Sequence, residues 1–215
     1  MPFSLGVTSS KHIVDRSLGS VRRLSAAGAT IAAVLGVLAT AIASAGGDFS
    51  RYVSESGVPG APHADLYRAG VWLSAAALAL LVAPAHGTVR MAAPAFALAA
   101  PAAAISGAIT CSPGCPLPPF ERATAADLVH AAASIAALLL CGAAMLAYAV
   151  QPFKSPLRRA GRLGVALAAP LLALSGVGLL FVGRGLFTGT VERAALLAVS
   201  AWLIATAALH RRARP

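Results

Sequence analysis

Charged residues are scarce in this chain and avoid its longest apolar segments. Only 11% of the 215 residues are Asp, Glu, Lys or Arg, whereas 58% are hydrophobic, which excludes an ordinary soluble domain. Six segments contain no charged residue, and most approach the ~20 residues that an α-helix needs to cross the hydrocarbon of a bilayer. They are Leu24–Gly46, Gly70–His86, Met91–Thr110, Leu128–Val150, Leu163–Gly183 and Ala194–His210. The sequence therefore predicts an all-α fold, a polytopic transmembrane bundle of six helices.

The lack of charged side chains within these segments also limits what the protein can do. Proton pumps, ion-coupled carriers and voltage sensors depend on charged groups inside the membrane, so their absence argues against ion-coupled transport. A haem is not expected, because His86 and His130 lie at opposite ends of their spans and cannot bind one iron. His86 and His210 border basic loops and are expected to reach towards the interface. Lipids and small apolar molecules remain open as ligands, and no cofactor is predicted.

The segments between the six spans lie alternately on the two sides of the membrane, and acidic residues are nearly absent from one side. If the N-terminus is cytoplasmic, the inner segments hold 12 of the 17 basic residues but only one of the seven acidic residues, Asp15. The positive-inside rule then puts both termini in the cytoplasm. The excess positive charge follows from this topology and from attraction to anionic headgroups, so nucleic acid is not expected as a partner. The inner basic residues are Lys11, Arg16, Arg22, Arg23, Arg90, Lys154, Arg158, Arg159, Arg162, Arg211, Arg212 and Arg214.

The first apolar segment also has features of a cleaved leader, since Ala43, Ser44 and Ala45 resemble a signal-peptidase site. The segment is longer than the ~7–15 residues of a signal-sequence core, so we expect it to remain in the protein as a helix. The predicted organisation is then a cytoplasmic arm, a six-helix transmembrane domain and a basic cytoplasmic tail. These parts cover residues 1–23, 24–210 and 211–215.

Cysteine is also rare, with three residues and no C-x-x-C motif. Cys111 and Cys115 lie in a predicted outer loop, where disulfides persist, and the Pro-Gly turn between them can bring their Cα atoms within bridging distance. We therefore predict a structural disulfide. A redox-active pair is disfavoured because the spacing is C-x3-C. Cys141 lies within a span and is expected to be a small packing residue.

Polar and charged side chains gather at the outer ends of the predicted spans. Thr124 and Asp127 have the spacing of a capping box at the start of the fourth helix. Glu192 is expected in the first turn of the last helix, where the helix dipole favours a carboxylate. Because helix ends converge in a bundle, we expect Arg51 and Arg68 to pair with these two acids. We name as the outer rim the residues Asp48, Arg51, Glu55, Arg68, Asp127, His130, Glu192 and Arg193.

Asp127 and His130 are three residues apart and therefore share one face of the fourth helix. One interpretation is a metal-dependent membrane hydrolase, in which one or two further ligands complete a site at the outer interface. The other is a capped helix start whose charged neighbours fix the loops, and it is favoured because two ligand types at one spacing form a weak pattern. No metal ligand and no catalytic residue is therefore predicted. The candidate further ligands are Asp48, Glu55, His63 and Asp65.

Short motifs at the outer helix ends resemble, in order, those of a known family. They are Asp48-Phe-Ser-Arg-Tyr-Val-Ser-Glu-Ser-Gly57, Tyr67-Arg-Ala-Gly-Val-Trp-Leu73, Cys111-Ser-Pro-Gly-Cys115-Pro116, Asp127-Leu-Val-His130 and Gly189-Thr-Val-Glu192-Arg193 before Trp202. Over about residues 24–210 the chain resembles the bacterial six-helix membrane proteins grouped as domain of unknown function 998. The family's usual Ser-x-Leu-Gly-like segment is Ser54-Glu-Ser-Gly57 here. The resemblance implies a six-helix fold in a bacterial plasma membrane and no particular activity.

Taken together, these features predict a non-enzymatic membrane protein whose outer rim binds a lipid, an envelope component or another membrane protein. The first rival interpretation is the metal-dependent hydrolase that uses Asp127 and His130. The second is an exporter of small apolar molecules. Beyond the lipid bilayer, the expected partner is therefore a lipid or a second membrane protein.

Overall fold

The computed structural model describes residues 7–152 and 154–212, and their side chains from residue 17 onward. This part of the chain is helical and contains no strand, which confirms the all-α, six-helix prediction. A 3₁₀-helix, Val53–Gly57, lies between the first two long helices, and a π-helical turn, Gly178–Val182, extends the fifth. The long helices are α1 (Val7–Ser44), α2 (Ala64–Thr88), α3 (Ala92–Ala108), α4 (Ala125–Ala149), α5 (Pro156–Val177) and α6 (Leu186–Arg212).

Among the described residues, five segments are long and apolar enough to cross a membrane, which indicates a multi-pass membrane protein. α3 is the exception, because its 17 residues extend only about 25 Å at a rise of ~1.5 Å per residue, against ~30 Å of hydrocarbon. It is shorter than the predicted span because the backbone is already extended at Ile109. The five segments are Ser17–Ser44, Ala64–Thr88, Ala125–Ala149, Pro156–Val182 and Leu186–Arg212.

The predicted N-terminal arm does not form a separate element where the structure describes it. α1 begins at Val7, so residues 7–23 are the first turns of the same helix that forms the first span. Residues 1–6 and 213–215 lie outside the described part, and Arg214 of the predicted tail lies there with them. The side chains of Lys11, Asp15 and Arg16 lie outside it as well.

The six helices form a closed ring. Each helix packs against its neighbours in sequence, and α1 packs against α6. Small residues allow the closest approaches, as expected for helices that pack in lipid. A Cβ atom added to Gly36 of α1 would lie 2.9 Å from the carbonyl oxygen of Gly70 in α2, and one added to Gly161 of α5 would lie 2.5 Å from the backbone nitrogen of Ala149. Glycine is therefore required where these helices touch.

Large side chains fill one end of the ring. The ring of Phe96 lies 6.0 Å from that of Trp202 and 6.3 Å from that of Tyr148, measured between centroids. The Tyr148 hydroxyl is 2.7 Å from Nε2 of His210, which is buried. His210 therefore packs inside the ring, and the expectation that it reaches towards the interface is wrong, whereas His86 is exposed as expected.

The opposite end carries three of the connections, residues 45–63, 109–124 and 183–185, and we call it the cap. The capping box predicted at the start of α4 is present here. The Thr124 hydroxyl accepts a hydrogen bond from the Asp127 N–H, and the Asp127 carboxylate accepts one from the Thr124 N–H. This local signal fixes where the second cap segment ends and α4 begins.

Candidate functional site

A cavity of about 490 Å³ lies inside the ring, directly beneath the cap. Its volume falls within the ~300–1,000 Å³ typical of small-molecule sites. All six helices contribute to its wall, in which Ala, Leu and Val are the main apolar residues beside several Ser and Thr hydroxyls. The cap closes it from above with Phe49, Tyr52, Val53, Cys111, Cys115 and Leu117. The ring therefore contains a mainly apolar cavity whose roof is built by loops.

The predicted disulfide between Cys111 and Cys115 forms part of this roof. Both residues are buried and pack against Tyr52 and Val58 of the first cap segment. The Ser54 hydroxyl also donates to the Cys115 sulfur at 3.3 Å. The cross-linked turn is therefore held against the 3₁₀-helix, and it is the point where two cap segments meet.

Asp127 ties the second cap segment to α4 through four donors. Oδ1 accepts from the Ser112 N–H at 2.6 Å, and Oδ2 accepts from the N–H and the hydroxyl of Thr124, each at 2.7 Å. The Ser112 hydroxyl donates to Oδ2 at 3.2 Å. Asp127 is only 1% exposed. Both oxygens of this carboxylate are therefore used to hold the loop.

His130 lies one turn further along α4 and binds the end of α3. Its Nδ1 atom is 2.9 Å from the Ser106 carbonyl oxygen and 2.8 Å from that of Ile109. Because carbonyl oxygens only accept, Nδ1 carries a proton and is the donor in this contact. The Ser134 hydroxyl strengthens the same contact, 2.7 Å from the Ser106 hydroxyl. His130 and Ser134 both line the cavity.

The pair of Asp127 and His130 gains no further metal ligand. Among the described residues, no group of three or more His, Cys, Asp or Glu side chains is placed to hold an ion. Of the expected additional ligands, His63 and Asp65 are exposed, Glu55 pairs with Arg184, and Asp48 accepts from the N–H and hydroxyl of Ser50. These contacts with Ser50 lower the pKa of the Asp48 carboxyl.

Arg193 joins the first cap segment to α6. Its guanidinium donates to the carbonyl oxygens of Arg51 at 2.7 Å and Gly189 at 2.9 Å, and it lies 4.9 Å from the centre of the Phe49 ring. A Cβ atom at Gly189 would collide with the backbone oxygens of Phe49 and Arg51, so this crossing needs glycine. Asp48 and Arg51 of the outer rim therefore meet α6 through their carbonyl groups.

Glu55 forms the one ion pair found in the described part of the chain. Its carboxylate accepts two hydrogen bonds from the Arg184 guanidinium, at 2.7 and 2.8 Å, and a third from the Tyr52 N–H at 3.0 Å. The bonds from Arg184 to Glu55 raise the pKa of the Arg184 guanidinium. The sequence places Arg184 at the last outer hairpin, but nothing local in it indicates that Arg184 meets an acid 129 positions earlier.

Glu192 lies on the cavity wall, and its predicted position in the helix is wrong. α6 begins at Leu186, so the helix passes through Glu192 in its second turn, beyond the reach of the terminal dipole. Oε2 accepts a hydrogen bond from the Val53 N–H at 2.9 Å. The Nε atom of Arg68 donates to the Gly107 carbonyl oxygen at 3.4 Å, and among the described residues Arg68 forms no ion pair. The expected pairing of Asp127 and Glu192 with Arg51 and Arg68 is therefore wrong.

The structure thus divides the outer rim into two groups. Asp127, His130, Glu192 and Arg193 line the cavity, and Asp48, Arg51, Glu55 and Arg68 do not. Sequence reasoning missed the aromatic residues of the wall, because aromatic side chains in loops and at helix starts have no distinctive spacing. These residues are Phe49, Tyr52 and Tyr67.

Comparison with known proteins gives one match. The family described as "Protein of unknown function (DUF998)" matches residues 26–209, which include the second half of α1, most of α6 and everything between them. No curated protein and no solved structure matches the chain. Because the matched region covers most of the sequence, the chain belongs to the DUF998 family.

Proposed function

We propose that this membrane protein binds a lipid-like amphiphile inside its helix ring, with the apolar part of the ligand in the cavity beneath the cap. The cavity carries the proposal, because a well-formed apolar chamber with a few convergent polar groups is the usual form of a small-molecule site. Ala and Leu side chains suit a hydrocarbon chain, and the polar groups next to the cap suit a headgroup. The site requires no reaction of the ligand.

The wall also offers a route from the bilayer. Ala41 of α1, Ala45 directly after it and Leu197 of α6 line the cavity and are exposed. They belong to the seam between the first and last helices, next to Phe49 and Arg193. A ligand dissolved in the membrane therefore has access at this seam without crossing the cap.

The proposal includes an orientation in a bacterial plasma membrane, with both termini in the cytoplasm and the cap outside. Two features support it, the excess of basic residues in the segments opposite the cap and a disulfide within the cap, where oxidising conditions preserve it. This orientation takes α3, which packs between α2 and α4, as the sixth crossing. An even number of crossings puts both termini on the same side of the membrane. A reporter that is active only in the cytoplasm should function after Arg212 and fail when inserted at Gly60. The reverse result would overturn this orientation.

Lipid retention tests the binding function. The full chain, purified in a mild nonionic detergent, should keep lipid molecules that native mass spectrometry detects. Ala195 is buried on the cavity wall, so Ala195→Phe should fill part of the chamber and reduce the retained lipid. Ala201→Phe is the matched control, because Ala201 lies on the same helix but is exposed and outside the cavity lining. Thermal unfolding verifies that both variants fold. Wild-type protein without lipid, or equal retention by the two variants, would contradict the proposal.

A further inference from the structure

Glu192 presents an acidic group to the cavity and forms no ion pair within the part of the chain that the structure describes. One of its oxygens accepts from the Val53 N–H, and no other donor among the described residues reaches the carboxylate. The ion pair of this part of the chain is Glu55 with Arg184, and it lies outside the cavity lining. A carboxylate beside an apolar chamber loses much of its hydration, so a positively charged ligand group would gain strongly from binding there.

The neighbouring cation does not neutralise Glu192 by direct contact. Arg193 follows it in the sequence, but its guanidinium donates to three backbone carbonyl groups and lies over the Phe49 ring. The other acid of the wall, Asp127, is saturated by Ser112 and Thr124. Glu192 is therefore the acid of the cavity that is available to a ligand.

Two tyrosine rings line the same cavity as the Glu192 carboxylate. Tyr52 and Tyr67 line the cavity and are both buried, and the Tyr67 ring is pressed against Gly57 of the cap. Burial first, and then the charge of Glu192, raise the pKa of Tyr52 to about 12, so its hydroxyl is a neutral donor at physiological pH. Aromatic faces attract cations, most strongly where water is excluded. A carboxylate with aromatic neighbours is the combination that recognises ammonium-type groups.

We infer that the cavity selects amphiphiles whose polar end is a positively charged, ammonium-class group, held by Glu192 together with the rings of Tyr52 and Tyr67. This inference rests on the proposed function, because it assigns the charge of the ligand that the cavity takes. The apolar wall accepts the hydrocarbon part, and the single available acid sets the preference for positive charge.

Two organic ions of matched shape and opposite charge test this preference. Tetraphenylphosphonium and tetraphenylborate present the same apolar surface, so a difference in their binding reports the charge of the site. Binding to the full chain is measured by equilibrium dialysis, with empty micelles of the same nonionic detergent as the blank. We expect the cation to bind at least about tenfold more tightly than the anion. Ala195→Phe should weaken binding of the cation, which locates it in the cavity.

Glu192→Gln is the decisive variant, because glutamine keeps an oxygen that can accept from the Val53 N–H. It should reduce cation affinity to about the level of the anion and leave anion binding unchanged or stronger. Glu121→Gln is the control, since Glu121 is an exposed acid of the cap outside the cavity lining. It should change cation affinity by less than about twofold, as expected for a solvated and screened charge.

The outcomes separate this inference from the function on which it rests. Equal binding of both ions, or an unchanged cation affinity in Glu192→Gln, would overturn the assignment to Glu192. Preference for the anion would also overturn it and would assign the site to Arg193. If neither ion binds but lipid is retained and lost in Ala195→Phe, the cavity binds lipid and the inferred charge preference is wrong. Absence of both activities would overturn the proposed function as well.

Discussion

Glu55 and Arg184 are 129 positions apart in the sequence and form a two-point ion pair across the cap. The pair connects the 3₁₀-helix to the loop between α5 and α6. Its energy is limited by solvent, since the side chain of Arg184 is 38% exposed, although that of Glu55 is only 10% exposed. Two parallel bonds with fixed geometry nevertheless make it stronger than an ordinary surface pair.

The first prediction is a measurable coupling between these two residues. In a double-mutant cycle of Glu55→Gln and Arg184→Gln, the coupling in the free energy of unfolding should be about 0.5–1 kcal/mol and should decrease at high salt. Thermal unfolding in detergent measures it. A control cycle of Asp65→Asn with Arg184→Gln should be additive, because Asp65 is exposed on α2 and outside this pair. Additivity in both cycles would contradict the prediction.

Asp127 should contribute much more to stability than an ordinary acid at a helix start. Asp127→Ala removes the acceptor for the Ser112 and Thr124 N–H groups as well as the capping box, so it should cost about 2–3 kcal/mol of unfolding free energy. Asp65→Ala is the matched comparison, because Asp65 occupies the first turn of α2 but is exposed. It should cost at most about 0.5 kcal/mol. Similar losses in the two variants would mean that Asp127 acts only as a terminal charge.

These examples show which parts of the molecule were predictable from sequence. The apolar segments locate six helices, because the requirement to satisfy backbone polar groups in lipid leaves helical structure as the local solution. The capping box of Thr124 and the Cys111–Cys115 disulfide were also predictable, since their partners are close in sequence. Both features depend on geometry within one turn or loop.

The remaining features depend on how the ring closes. The Glu192 carboxylate accepts a hydrogen bond from the Val53 N–H, 139 positions away in the sequence. The cavity exists because the last helix, α6, packs against the first, α1. The start of the last helix was also predicted too late, because Glu192 was expected in its first turn, whereas α6 starts at Leu186. A charge can lie within a transmembrane helix when it faces the interior of the bundle, so charges do not mark helix ends reliably.

Counting the thiols that react before and after reduction should distinguish the disulfide of Cys111 and Cys115 from the free, buried Cys141. Denatured, unreduced protein should take up one alkylating group, on Cys141, and reduction should raise this number to three. The native protein should resist labelling, because Cys141 is only 4% exposed. Mass spectrometry counts the added groups. Three labels without reduction would show that Cys111 and Cys115 are free thiols.

Gly70 should be essential for the contact between α1 and α2. A Cβ atom at this position would lie 2.8 Å from the Gly36 carbonyl oxygen and 2.9 Å from the Thr40 backbone nitrogen, and these atoms can move only if the helices separate. Gly70→Ala should therefore lower the unfolding free energy by about 1–3 kcal/mol. Gly142 of α4 provides the control, because a Cβ atom added there would meet no other atom within 4 Å.

Gly142→Ala should be neutral or stabilising by up to about 1 kcal/mol, since alanine favours a helix where space is available. The opposite signs of the two substitutions distinguish close packing from helix propensity, and thermal unfolding in detergent measures both. Thr40 and Ser74 of the same two helices line the cavity, so separation of α1 from α2 should also reduce lipid retention in Gly70→Ala. A Gly70→Ala protein that matches Gly142→Ala in stability and in retained lipid would mean that this crossing does not shape the chamber.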